Sequence, residues 1–223
     1  MRMRWRVIAL IGVVSSYAFA NFEGMVTQEE GGRWPKAEIP YVIDDALPEV
    51  NRVALAQAMA LWQNETRIKF VKITSKNQRL YPDYVKFKPA PGKTCDSFVG
   101  RQGGEQIVWL APRCHAMLSA HELGHVIGLW HEQSRPDRDA YVQILWENIR
   151  EEHYANFYRR DREGHHEGAY DYDSIMHYSG QAFSKNGLPT MIPRDKNVII
   201  GQRDHLSEGD ISAVNTLYSR AYS

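Results

Sequence analysis

Hydrophobic positions along the chain change period several times, and each change marks an element. "IPYVID" (39–44) is a short apolar run closed by Asp44, as expected of a strand. From 48 to 64 the period becomes helical. Val50, Ala54, Ala58, Leu61 and Trp62 fall on one face, and Pro48 suits a first turn. "RIKFVKI" and "YVKFK" read as strands, the second with clear alternation over Tyr84, Val85, Lys86, Phe87 and Lys88. "EQIVWL" (105–110) is a further short strand, and 115 to 127 a second helix. Beyond Trp146 the periodicity fades into a stretch rich in Tyr, Asp, His and Gly. It returns in "SEGDISAVNTLYS", a last helix with Ser207 as cap, Asp210 in the first turn and a stripe of Ile211, Val214, Leu217 and Tyr218. No internal repeat or low-complexity tract interrupts this order.

The first twenty residues follow a different logic. Arg2, Arg4 and Arg6 precede the apolar run "VIALIGVV", and "AFA" places Ala18 and Ala20 as a small-residue cleavage signal. The run is too short for a bilayer, which needs about 20 apolar residues. The expectation is therefore a secretory signal peptide over 1–20 and no membrane partner. A polar leader follows over 21–33, then one catalytic domain over 34–223, in an extracellular or periplasmic protein.

With 223 residues and a formal net charge of zero, the chain has no basic excess that would suggest a nucleic-acid partner. A monomer is expected. Its two cysteines, Cys95 and Cys114, are expected to pair in an oxidising compartment, the alternative being two separate buried thiols.

The candidate chemistry lies in "HELGHVIGLWH". His121 and His125 are four residues apart and project from one face of a helix, where two imidazoles can converge on one cation. Glu122 points beside such a cation and suits a base acting on water held there. Gly128 can stop the helix in a left-handed conformation, and His131 can return as a third ligand from outside it. Three protein ligands leave one position open, as in catalytic zinc sites. The full H-E-x-x-H-x-x-G-x-x-H spacing is that of the metzincins, whose methionine-containing turn is matched by Met176 in "SIMHY". The remaining histidines, His115, His153, His165, His166, His177 and His205, have no ligand spacing and read as surface or turn residues.

Longer stretches carry a closer resemblance. "HELGHVIGLWHEQSRPDRDAYVQILWENI", "SIMHYSGQAFS", "FVGRQGGEQIVWL" and "IGQRDHLSEGDISAVNTLY" together resemble the astacin-family zinc endopeptidases over nearly all of the chain after residue 33. The resemblance implies an α+β fold, a metzincin-like catalytic domain of two lobes around a cleft. A mixed sheet with two helices is expected in the N-terminal lobe, and an irregular C-terminal lobe ending in a helix. It implies one zinc ion held by His121, His125 and His131, with Glu122 as general base. Tyr178 would be a further, swinging ligand that leaves the metal to hydrogen-bond the oxyanion. Glu132 would contact the buried amino terminus of the mature enzyme. "EQIVWL" would be the upper edge strand of the cleft, to which a protein or peptide substrate adds by main-chain hydrogen bonds.

Two departures stand out. The family's second disulfide is missing, with Arg67 and Arg220 where its cysteines would be. The leader has Phe22 and Gly24 of the family's F-x-G-D, but Met25 in place of the zinc-blocking aspartate, and a thioether is a poor zinc ligand beside a carboxylate. The expected function is internal peptide-bond hydrolysis. The rivals are a zinc hydrolase of another substrate, such as an amidase, and a catalytically inactive protein-binding module on the same scaffold.

Overall fold

A computed structural model describes residues 7–9, 32–161 and 169–219. Phe22, Gly24, Met25, His165, His166 and Arg220 lie outside the described residues. The N-terminal lobe is a six-stranded sheet: β1 (Val7–Ala9), β2 (Glu38–Ile43), β3 (Lys69–Lys72), β4 (Tyr84–Pro89), β5 (Cys95–Ser97) and β6 (Glu105–Leu110), in the order β1-β5-β6-β4-β2-β3. β3, β2, β4 and β6 run parallel to one another, with the longest ladder from Tyr84↔Glu105 to Pro89↔Leu110. Parallel neighbours need a crossover. Between β2 and β3 that crossover is α1 (Glu49–Glu65). β5 reverses direction against β6, and β1 pairs antiparallel with β5.

Two expectations are corrected here. "EQIVWL" is not an edge strand: β6 is hydrogen-bonded to β4 on one side and β5 on the other, and Gln106, Val108 and Leu110 are buried. On that side the margin is formed by β5, covered by β1. The three-residue β5 is too short to show a period of two in the sequence. In α1, Val50 is 63% exposed, and Asn51 takes the inward position. The Asn51 amide donates to Ala111 O at 2.8 Å, so a polar residue completes a face that hydrophobicity assigned to its neighbour.

α2 (Ala116–Ile127) lies inside the molecule, buried from Leu118 onward. A buried helix needs partners for the carbonyls its C-terminus leaves open. Trp34 Nε1 donates to Val126 O at 2.8 Å, and the Tyr218 hydroxyl to Ile127 O at 2.7 Å. Trp62 Nε1 donates to Ala120 O at 2.9 Å. The two tryptophans are among the largest fully buried side chains, so each fills core volume and satisfies its polar atom at once. The Cys95–Cys114 disulfide is formed and ties β5 to the approach to α2.

The C-terminal lobe has little regular structure. β7 (Val142–Ile144) and β8 (Met191–Pro193) form a two-stranded antiparallel ladder, and short 3₁₀ turns fill much of the rest. Its small core includes Val142, Ile149, Phe157, Tyr178, Phe183 and Met191. Buried side chains bridge the main chain instead of ladders. Arg138 Nη1 donates to Gln133 O and Phe157 O, and Asn148 Nδ2 to Pro189 O at 2.6 Å.

α3 (Glu208–Ser219) returns to the N-terminal lobe, where Val214 and Tyr218 share a core with Trp62 and Leu123. Its cap is reciprocal: the Asp210 amide donates to Ser207 Oγ at 2.9 Å, and the Ser207 amide to Asp210 Oδ2 at 3.0 Å. At Arg67, where the resemblance leads one to expect a cysteine, Asn215 bridges the junction, accepting from Arg67 N and donating to Glu65 O. The expected α+β, two-lobed architecture is the one observed. No helix among the described residues is long and apolar enough to cross a membrane.

Candidate active site

His121, Glu122 and His125 sit in the middle of α2, fully enclosed by protein. A dry interior tolerates polar side chains only with partners. His121 Nδ1 lies 2.7 Å from Ile175 O, and His125 Nδ1 2.8 Å from Leu129 O. Each Nδ1–H donates to a carbonyl, so each Nε2 presents a lone pair. α2 ends at Gly128 with φ 127°, and Leu129 N folds back onto Gly124 O. That reversal returns His131 to the same point. His131 Nε2 is 3.2 Å from His125 Nε2 and 3.3 Å from His121 Nε2.

These spacings test the metal expectation. Three ligands at about 2.0–2.1 Å from a tetrahedral ion stand about 3.3–3.4 Å apart. The triad fits a metal site. Burial lowers the His121 and His131 pKa values well below the usual range and that of His125 to about 4, with nearby positive charge adding to the effect. Neutral imidazoles are what a metal ligates, so protons compete weakly for this site near neutral pH.

Glu122 Oε2 accepts a hydrogen bond from Ser97 Oγ at 2.8 Å, which ties the carboxylate to β5. Burial, and then the Asp96 charge, push its pKa well above the ordinary carboxylate range. In its ionised form a carboxylate so placed is a stronger base than an exposed one.

The turn at 174–177 lies against α2. Met176 is buried, and a methyl placed on Gly124 would fall 2.6 Å from its sulfur, so the helix and the turn meet where only glycine fits. Asp210 fastens this turn from α3. Its carboxylate accepts from Ser174 Oγ at 2.7 Å and from Ile175 N at 2.9 Å. The local sequence marks Asp210 only as a first-turn acid of α3; its hold on 174–175 comes from residues 35 and 36 positions away. Tyr178 follows the turn. Its ring is buried against His131, Phe157 and Phe183, and its amide donates to Gln133 Oε1 at 3.1 Å. Burial drives the phenol pKa upward, so the hydroxyl stays a neutral donor.

A model of the astacin family of peptidases matches residues 26–219. The chain belongs to the astacin family. Zinc metalloproteinase nas-14 of Caenorhabditis elegans is 40% identical over 189 residues, covering 83% of this chain and 37% of that protein. Astacin-like metalloendopeptidase of Mus musculus is 40% identical over 196 residues, covering 84% of this chain and 43% of that protein. The chain spans less than half the length of these relatives. High choriolytic enzyme 1, a hatching enzyme zinc-protease from Oryzias latipes, superposes with a TM-score of 0.74 at 35% identity, covering 87% of this chain and 94% of that one. Myroilysin, at 22% identity and a TM-score of 0.59, covering 86% of this chain and 97% of its own, shares the fold.

The astacin-like run "HEQSRPDRD" forms a chain of ion pairs. Arg135 pairs with Glu132 and doubly with Asp137, and Arg138 pairs with Asp139. Glu132 also accepts from the Asp171 amide at 2.8 Å. Burial raises its pKa to about 7. Among the described residues its carboxylate meets Arg135 and the Asp171 amide, and no amino terminus.

Two of the histidines expected as surface or turn residues are buried. His177 is fully buried, its Nδ1 donating to Tyr178 O and its Nε2 accepting from the Tyr170 hydroxyl. His153 is buried against Phe183. His115 and His205 are exposed as expected. Local spacing could not distinguish these pairs, because the partners that bury His153 and His177 come from a region without periodicity.

Proposed function

We propose that this chain is a secreted zinc-dependent endopeptidase acting on proteins or peptides. The observation that carries the reading is the convergence of three imidazole Nε2 atoms beside a buried carboxylate with a raised pKa. His121, His125 and His131 would hold the ion, with Tyr178 as an additional ligand before substrate arrives. When bound, zinc supplies Lewis acidity toward a carbonyl oxygen and acidifies the attacking water. Glu122 takes the proton from that water and passes it to the leaving amine. Tyr178 donates its hydroxyl to the negative charge developing on the carbonyl oxygen, where a fixed neutral donor lowers the barrier.

Export would remove residues 1–20, and with them β1. β5, whose own Ser97 holds Glu122, would then be the free margin of the sheet. A substrate could add to that margin through main-chain hydrogen bonds, which grip many sequences alike. The leader over 21–33 would precede a catalytic domain over 34–223. Trp34, whose ring caps α2, is the first fully buried side chain among the described residues and supports a boundary near there.

The test is hydrolysis of casein by the purified protein with and without a chelator. Internal cleavage abolished by the chelator is the expected result. Zinc binding without any cleavage would favour the inactive binding module instead.

A further inference from the structure

A positive charge stands against this site without a role so far. Arg203 lies between β8 and α3 and is partly buried. Its Nη1 donates to His177 O at 3.0 Å and to Gln202 O at 2.6 Å. Its Nε is buried without a hydrogen-bond partner among the described residues. A guanidinium is costly to desolvate, and costlier beside a site that takes a dication. Burial draws its pKa down to about 10, while Glu122, Tyr178 and Asp210 favour its charge, so it remains a cation.

The carbonyl it holds belongs to the peptide plane joining His177 to Tyr178. The opposite edge of that plane is the Tyr178 N–H, which donates to Gln133 Oε1. The next carbonyl, that of Tyr178, accepts from His177 Nδ1 at 2.8 Å. The side chains of Gln133, Arg203 and the adjacent His177 thus fix the backbone on both sides of one Cα. Fixing a peptide plane fixes the Cα–Cβ direction that follows it, and so the space the Tyr178 ring can sweep.

We propose that Arg203 is a positioning residue for Tyr178: it clamps the 177–178 peptide plane opposite Gln133. The catalytic part of this inference rests on the role given to Tyr178 above; the clamp does not. A phenol that must approach and leave a metal needs a fixed pivot, because its hydroxyl helps only where negative charge develops.

The test is a double-mutant cycle with Tyr178→Phe, run on the zinc-loaded protein with zinc content measured for every variant. Arg203→Met, which keeps the length of the side chain, should lower kcat by about 10- to 100-fold with KM moved less than about twofold. On the Tyr178→Phe background the same substitution should cost almost nothing, because the group it positions is gone. Arg203→Lys keeps the charge and one donor and should recover part of kcat. Equal costs on both backgrounds, or an unchanged kcat, would overturn the proposal. If Arg203→Met fails to fold, Arg203→Lys enters the cycle with the same criterion. Hydrogen exchange separates this inference from the functional reading. Arg203→Met or Arg203→Lys should speed exchange locally at 177–179, whether or not the protein cleaves peptides. Unchanged exchange there, or loss of protection across both lobes, would refute the clamp.

Discussion

The two lobes reach order by different means. In the N-terminal lobe, parallel strands share backbone ladders, and α1 and α2 bury Leu55, Trp62, Leu123 and Ile127 against Phe87 and Val108. Apolar area removed from water stabilises this part, and many residues share the load. In the C-terminal lobe, single polar side chains take the place of ladders. Arg138, Asn148 and Asp210 each tie their own segment to another distant in sequence. Losing one of them leaves several buried groups without partners, so the lobe depends on few residues. The site draws on both. Glu122 and two histidines ride on a buried helix that cannot shift without moving the core. His131 and Tyr178 come from the clamped lobe, where a ring can move if its pivot is sound.

Substitutions on the two sides should therefore fail in different ways. Glu122→Gln, on the helix, should leave one zinc per chain and a normal melting temperature while lowering kcat by about 10³-fold, within the range for loss of a general base. Near-full turnover would remove Glu122 from the chemistry. Tyr178→Phe should lower kcat by about 10²-fold, much more than it raises KM, as for the loss of one oxyanion donor. An equal rise in KM would make the ring a packing element.

Asp210→Ala tests the clamped lobe itself. It strips partners from Ser174, Ile175 and Ser207, and should cost about 3 kcal/mol in denaturant unfolding and weaken zinc binding through the Met176 turn. A cost below about 1 kcal/mol would mean that the lobe shares its load as the sheet does.

The smallest effect concerns pH. Burial holds the His177 pKa at about 4, against 6.5 in an open chain. Its contribution is complete above pH 6.5. As pH falls toward about 4, the unfolded chain binds a proton that the folded one refuses, and stability is lost. Between pH 6.5 and 5 the loss is about 2 kcal/mol. Urea midpoints of the native protein and of His177→Gln should therefore converge as pH falls over that window. Parallel curves would show that His177 titrates normally.

Legibility followed the same division. α1, α2, α3 and four strands of the sheet are visible as periodicity, because one face of each meets a continuous core. The metal triad is visible because His121 and His125 share a helix and Gly128 marks its end. What escaped was set by contacts distant in sequence. β5 is three residues long, Asn51 turns inward for the Ala111 carbonyl, and His177 is buried by Tyr170 and its own neighbour. Arg203 and Asp210 act through backbone carbonyls and amides, which no side-chain pattern records.

The central claim is that one ion, held by ligands from both lobes, serves a carboxylate from one of them. Zinc titration of metal-stripped protein tests it most directly, following bound metal and cleavage of one peptide together. Cleavage should rise in proportion to zinc and level off at one ion per chain, while Glu122→Gln binds the same single equivalent and stays silent. Cleavage by the zinc-free protein, or a filled site in the native chain without cleavage, would contradict the account.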